Sequence, residues 1–367
     1  MYTLITGAHK NVGDFLIVER GKQLLRRYAN GKEFLEFDNQ IPLTNHLKEI
    51  NKTNAIILCG GPGYTQNLFR NYPFLRNIDK IKVPVIPFAV GWCGHPADNP
   101  DKFSFSDDSK SVLEYIHKNC EFSSCRDKIM KEILKRQGIE NVLMTGDTAL
   151  YDLKSIGKKF TLPRKIRKVA VSVAQHPGQY HQNIYLLEQV KQTFPEAELI
   201  CCFHRNLKAD KFTPETTAKG AQKIAQSARK LGYRVVDASY DTSKIEFYRE
   251  CDLHIGYRVH AHIFFLSIRK PTFLLQEDGR GLALSKTVSL PDIPAWNRRI
   301  PESLRGRGYR LRIDYYLGKI FQNKNAVDDI MRYIKNELRN NFPHFQEMDK
   351  VIDDYHRIMI KFLKTLP

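Results

Sequence analysis

The sequence predicts an α/β protein built on two parallel, doubly wound sheets, with a helical extension at its C-terminus. Three observations carry this. Short apolar, strand-like runs alternate with amphipathic helical patterns in both halves of the chain. A length of 367 residues exceeds what one hydrophobic core normally serves, so two domains are expected. Between the halves, KKFTLPRKIRK is polar, basic and without a period, as a linker would be. The expected division is 1–155 for the first domain, 156–168 for the linker, 169–290 for the second domain and 291–367 for a basic segment and terminal helices.

In the first half, YTLITG reads as a strand, AHKNVGD as a loop and FLIVERGKQLLRRYA as a helix with one apolar face. The loop lacks the G-x-G-x-x-G spacing of a dinucleotide fingerprint. Asp14 stands where the helix begins, and either caps it or faces a substrate; Asn11 either shapes the turn or does the same. NAIILCGGPGY repeats the pattern, with Gly60 and Gly61 after an apolar strand, where glycine allows a ligand close to the backbone or simply a turn. KVPVIPFAVGWCG is a third strand. In CEFSSCRDKIMKEILKRQG a short strand precedes Ser123 or Ser124 as a cap, then Arg126 near the start of a helix closed by Gly138. An arginine there opposes the helix dipole unless an anion joins it, which singles out Arg126 among 58 basic residues. NVLMTGDTAL ends this half, with Asp147 just beyond the strand as a turn, cap or site residue.

In the second half, KVAVSVAQHPGQY opens a new strand-helix series, followed by a helix near Leu186–Phe194, the strand ELICCFHRN, a helix from Thr216 to Leu231, the strand YRVVDAS and the short helix IEFYREC. His176, His204 and Arg205 follow strands, either lining a donor site or lying on the surface. The most informative stretch is CDLHIGYRVHAHIFFLSIRKPTFLL. It reads as strand, glycine turn, apolar helix, proline stop and strand, and places Arg258, His260 and His262 around the helix start. Loops after such strands lie at the carboxyl edge of the sheet, where open α/β folds bind ligands and helix amides favour anions. His262 is expected to be structural, because two residues along a helix it points away from His260. QEDGRGLALSK adds a loop and short helix; arginines then crowd 298–312, either as a solvated surface or as a patch for lipid headgroups or a pyrophosphate-bearing acceptor. The tail from Asn325 to Leu366 reads as two packing helices separated near Pro343.

A net charge of +18 favours anionic partners: nucleic acid, an anionic membrane surface or phosphorylated substrates. No RNP, KH or zinc motif supports specific nucleic-acid binding. Seven cysteines form no Cys-x-x-Cys pair, so buried reduced thiols are expected and no metal site is. No apolar run reaches the roughly 20 residues that span a bilayer, and MYTLITG begins as a strand, so the expected location is cytoplasmic.

Taken together, NVGD, CGGPGY, SSCRD, TGD and GYRVHAHI resemble, in order and spacing over roughly residues 1–290, the polysaccharide pyruvyl transferase family. The resemblance implies a GT-B-like pair of Rossmann-like domains, the first on the acceptor side and the second on the donor side. It also implies ketal-forming transfer of pyruvate from phosphoenolpyruvate to sugar hydroxyls, without a cofactor or metal. The family's donor-binding arginine and histidine fall on Arg258 and His260, with Arg126 as a second arginine. His260 is then an acid/base or a phosphate ligand, and Asp14 a base for the acceptor hydroxyl. Asn11, Gly13, Gly60, Gly61, His176, His204 and Arg205 are further candidates for substrate contact. The expected acceptor is a sugar or a lipid-linked oligosaccharide, met at the cytoplasmic membrane face. The competing readings are a GT-B glycosyltransferase using a sugar nucleotide and, more distantly, a nucleic-acid-binding protein.

Overall fold

The computed structural model describes residues 1–29, 31–92, 94, 99–175, 177–297 and 322–367. His176 and the arginine-rich segment 298–312 lie outside the described residues, as does Cys93.

Strands β1 (Tyr2–Thr6), β2 (Phe34–Asp38), β3 (Ile56–Cys59) and β4 (Val85–Phe88) form a parallel sheet in the order β2-β1-β3-β4. The ladder pair β5 (Ser123–Cys125) and β6 (Val142–Met144) extends it through a bridge from Val90 to Cys125. A second parallel sheet joins β7 (Lys168–Ser172), β8 (Glu198–Phe203), β9 (Arg234–Asp237), β10 (Leu253–Gly256) and β11 (Thr272–Leu274) in the order β11-β10-β7-β8-β9. Central strands such as IILC and LHIG are buried at every position, as parallel strands covered on both faces must be. In each sheet the chain starts in the middle, runs to one side and then crosses to the other. The loops leaving β1 and β3 therefore diverge, as do those leaving β7 and β10, and each divergence opens a crevice at the carboxyl edge.

The helices are α1 (Val12–Tyr28), α2 (Leu47–Ile50), α3 (Asp107–Lys118), α4 (Lys128–Arg136), α5 (Tyr180–Thr193), α6 (Glu215–Lys230), α7 (Val259–Ser267), α8 (Gly279–Val288), α9 (Ala326–Arg339) and α10 (Met348–Leu363). The α7 helix is buried on all sides, which its unbroken apolar sequence demands. The tail divides its work. Helix α9 lies on the second half, where Tyr333 meets Phe273 edge to face at 5.2 Å and Tyr185 Oη donates to Asp328. Helix α10 returns to the first half, where the Phe362 ring stacks on Phe88 at 5.7 Å. One core cluster consequently runs across both sheets, and a second fills the other face of the first sheet against β5, β6 and α4.

Four local expectations are corrected. The α1 helix starts at Val12, not Phe15, so Gly13 and Asp14 belong to its first turn and Asn11 takes the cap position. Ser123 and Ser124 are strand residues and cap nothing; Asp127 caps α4 instead, accepting from the Met130 amide at 2.7 Å. The stretch around IEFYREC is a 3-10 helix, Thr242–Glu250. The edge strand β2 has no counterpart in the sequence expectation, because FLEFD carries two acids and is only half covered, leaving a weak apolar signal. The described cysteines are free thiols, and burial pushes Cys59 and Cys202 up to about 12. Among the described residues no helix is long and apolar enough to cross a membrane.

Candidate active site

The turn between β10 and α7 brings Arg258 to the crevice of the second sheet as the cap residue of α7. Its amide donates to Ser172 Oγ at 3.0 Å, which anchors the turn to the end of β7. From there a buried chain continues through His254, Thr272 and His262, each step 2.8–2.9 Å. His262 is thus a structural side chain, as expected, and burial lowers its pKa to about 3. The Arg258 guanidinium is 5% exposed. One nitrogen donates to Gln175 Oε1 at 2.9 Å and approaches Glu277 at 3.5 Å; the other donates to Asn11 Oδ1 at 3.1 Å. Asn11 therefore spends its side chain on the opposite half of the molecule and makes no cap hydrogen bond to α1.

His260, one turn position inside α7, packs against the first turn of α1. A Cβ on Gly13 would stand 2.2 Å from His260 Nδ1, so only glycine lets the two helices meet there. On the other edge of the ring, Nε2 lies 3.9 Å from Asp147 Oδ2, an electrostatic contact too long for a hydrogen bond. The same oxygen accepts from Arg126 Nη1 at 3.1 Å. Asp147 Oδ1 meanwhile caps Thr148–Leu150 through the Ala149 amide at 2.9 Å, so Asp147 is a cap and a site residue at once. Burial alone would raise its carboxyl, but His260, Arg126 and the Ala149 amide outweigh that and hold it at about 2. Gly91 makes room for Arg126 as Gly13 does for His260: a Cβ there would lie 2.0 Å from Nε. Arg126 precedes the cap of α4 and so lies outside the helix it seemed to oppose. Arg126, Asp147 and His260 are 6%, 2% and 3% exposed, yet Arg126 Nη2 and His260 Nε2 have no hydrogen-bond partner among the described residues. Buried polar atoms are nearly always paired, so two orphans around one carboxylate call for an occupant.

Next to this cluster lies an interdomain cleft of about 290 Å³. Asn11, Asp14, Gly60 and Gly61 line it from the first half, and Gln175, Arg205 and Arg280 from the second. Gly60 and Gly61 hold φ of +66° and +78°, a turn that presents bare backbone to the cleft. The Asp14 carboxylate makes no hydrogen bond or ion pair among the described residues. A further hollow of about 330 Å³ lies within the second half, with Arg258, His204 and Arg205 among its lining residues. His204 is 1% exposed, and burial, with the Arg258 and His260 charges, drives its pKa far down, leaving a neutral ring. Neither hollow is lined by Arg126, Asp147 or His260; Gly13 packs on His260 and Gly91 on Arg126. Among the described residues no group of three or more His, Cys, Asp or Glu side chains is arranged to hold a metal.

The sequence left out several participants. Asp147 stood as a turn, cap or site residue without an assigned role, because the strand-Gly-Asp pattern does not reveal which charges face it. Gln175 and Glu277, both partners of Arg258, carry no local signal. Lys10 is 2% exposed and ties the loop after β1 to the second half through Asp210, Thr213 and the Lys208 carbonyl, each at 2.7 Å.

The model of the polysaccharide pyruvyl transferase family matches residues 11–279, well over half of the chain. No curated protein matches it in sequence. Solved structures share its fold. A UDP-N-acetylglucosamine 2-epimerase assignment from Listeria monocytogenes has 12% identity and a TM-score of 0.55 over 98% of this chain and 93% of that one. The Neisseria meningitidis UDP-GlcNAc 2-epimerase, bound to UDP-GlcNAc, has 11% identity and a TM-score of 0.51 over 99% of each. The S. aureus MnaA-UDP structure has 12% identity and a TM-score of 0.50 over 92% of this chain and 96% of that one. At such identities the likeness speaks to architecture, which is the GT-B fold.

Proposed function

The chain belongs to the polysaccharide pyruvyl transferase family, and on that premise we propose that it moves pyruvate from phosphoenolpyruvate to two hydroxyls of a sugar as a cyclic ketal, in the making of a cell-surface glycan. The observation that carries this reading is the pair of buried, unpartnered nitrogens, Arg126 Nη2 and His260 Nε2, beside Asp147 and close to the Arg258 crevice. Phosphoenolpyruvate offers a phosphate and a carboxylate, and arginine meets both through paired, charge-assisted hydrogen bonds. On binding, Arg258 exchanges the neutral oxygens of Gln175 and Asn11 for the donor's anionic ones.

The chemistry then divides among named groups. His260 gives a proton to the methylene carbon, and the resulting cationic centre at C2 is attacked by the first sugar hydroxyl. Asp147, ionised throughout the working pH range, stabilises positive charge on His260 and Arg126. The C2–O bond to phosphate breaks, and the second hydroxyl closes the ketal. Of the two hydroxyl protons, one restores His260 and one leaves on inorganic phosphate, so the balance closes without an oxidant or a carrier group. Asp14, on the cleft wall, is the proposed base that takes the proton of one acceptor hydroxyl and passes it to the departing phosphate.

The test is incubation with phosphoenolpyruvate and a panel of hexosides, reading phosphate release and the mass gained by the sugar. Arg258→Ala is expected to abolish phosphoenolpyruvate binding. His260→Gln is expected to lower kcat by ~10²–10⁴-fold while largely preserving that binding. If no sugar gains mass and Arg258→Ala binds the donor normally, the reading fails.

A further inference from the structure

The hollow within the second half has features that the donor cluster does not explain. Val173, Ala174, Phe203 and Ile224 give it apolar walls, buried His204, Asn206 and Arg258 add polar atoms, its rim carries Arg205, Lys219 and Lys223, and no Asp or Glu lines it. Lys219 is balanced at 3.0 Å by Glu215, which stands outside the lining. Two further observations point to an occupant. His204 Nε2 is paired with Tyr248 Oη at 2.9 Å, but its Nδ1 is buried without a hydrogen-bond partner among the described residues. Gly220 sits inside α6, where glycine weakens a helix relative to alanine. A Cβ there would meet nothing within 4 Å, so packing gives no reason for the glycine; the hollow it lines does.

We propose that this hollow binds a nucleoside diphosphate, the activating group of a nucleotide-linked sugar acceptor. The planar base suits the apolar walls, with one edge hydrogen-bonded by His204 Nδ1, and the diphosphate suits Arg205 and Lys223. Arg205 and Gln175 line both hollows, so the sugar passes them to reach the interdomain cleft. A volume of about 330 Å³ is at the small end of the ~300–1,000 Å³ typical of ligand sites and far too small for a polyprenyl chain. Pyruvylation then takes place on an activated monosaccharide, and a glycosyl-transfer reaction must consume the product. The assignment of that sugar as acceptor rests on the pyruvyl transfer reading; the binding site itself does not.

The experiment is calorimetric titration of the full chain with UDP, GDP, CDP and ADP, with pyrophosphate and farnesyl diphosphate as controls. At least one nucleoside diphosphate is expected to bind about tenfold or more tightly than pyrophosphate. Gly220→Leu, which fills the hollow, and Lys223→Glu, on the exposed rim, are each expected to weaken it about tenfold while leaving phosphoenolpyruvate binding unchanged. Lys223→Glu keeps the test decisive if Gly220→Leu does not fold. The proposal is overturned if no nucleotide outcompetes pyrophosphate, if both variants bind as the parent does, or if farnesyl diphosphate binds more tightly than every nucleotide. Nucleotide binding without phosphoenolpyruvate binding leaves the hollow assigned and removes pyruvyl transfer. Pyruvyl transfer to simple hexosides without nucleotide binding does the reverse.

Discussion

Asp147 shows how one side chain holds two jobs. One oxygen caps a 3-10 turn, the other neutralises Arg126 and stands near His260, and burial at 2% exposure strengthens both. Its depressed pKa sets the sign of a pH effect. A carboxyl held at about 2, against 3.8 normally, adds stability that is complete above pH ~4 and disappears as the pH falls towards 2. The size is on the order of 2 kcal/mol, from 1.36 kcal/mol per unit. In urea titrations across that window, Asp147→Asn should therefore lose stability less steeply with acid than the parent. Equal slopes would show that Asp147 is not held by its neighbours as described. On the proposed reaction, the same variant should lower kcat more than it raises KM for phosphoenolpyruvate, because it touches His260 and Arg126 rather than the donor.

Helices α1 and α7 meet through Gly13 and His260, and the contact tests helix propensity against packing. Alanine at an exposed helical glycine gains ~1 kcal/mol, whereas a Cβ 2.2 Å from His260 Nδ1 must displace the ring or separate the helices, an overpacking cost of ~1–3 kcal/mol. Gly13→Ala is accordingly expected to lower Tm and, on the proposed reaction, to abolish transfer; a rise in Tm would mean that the helices do not touch there. A second element-level case is α4, whose cap is Asp127 and not a preceding serine. Asp127→Ala should cost ~1 kcal/mol or somewhat more, since the same carboxylate also accepts from the Trp92 amide at 3.4 Å. Ser123→Ala, measured by the same thermal melt, separates the two capping assignments: it breaks a hydrogen bond to His117 and leaves the helix terminus intact.

At the scale of the whole molecule, the two sheets are joined by features far apart in sequence. The loop after β1 is bound to the second half by Lys10, by Asn11 and by the Val12 amide, which donates to the His204 carbonyl at 3.2 Å. The terminal helix α10 crosses the other way and places Phe362 on Phe88. Phe362 is fully buried, so Phe362→Ala should destabilise the whole chain by ~3–5 kcal/mol, read by urea denaturation. A single cooperative transition shifted by that amount is expected, since the core is continuous; loss of the tail alone, with the rest unmoved, would contradict that continuity.

The sequence by itself determined the alternation of strands and helices, the parallel character of both sheets and the positions of the glycine turns. These are written in local periodicity and in residues with unusual backbone freedom. It also placed Arg258 and His260 at a sheet edge, because a strand, a glycine and an apolar helix put them there whatever the rest of the fold does. Local pattern could not supply the half-covered strand β2 or the true start of α1, and for α4 it could not choose among neighbouring residues, Ser123, Ser124 and Asp127, that cap about equally well. Only the tertiary structure decided that Asn11 belongs to Arg258, that Gly13 exists for His260 and that Arg126 and His260 share Asp147. Asn11 and Arg258 stand 247 positions apart, and His260 lies in the other half of the chain from both Gly13 and Asp147; separation of that order along the chain carries no signal of charge meeting charge across a cleft.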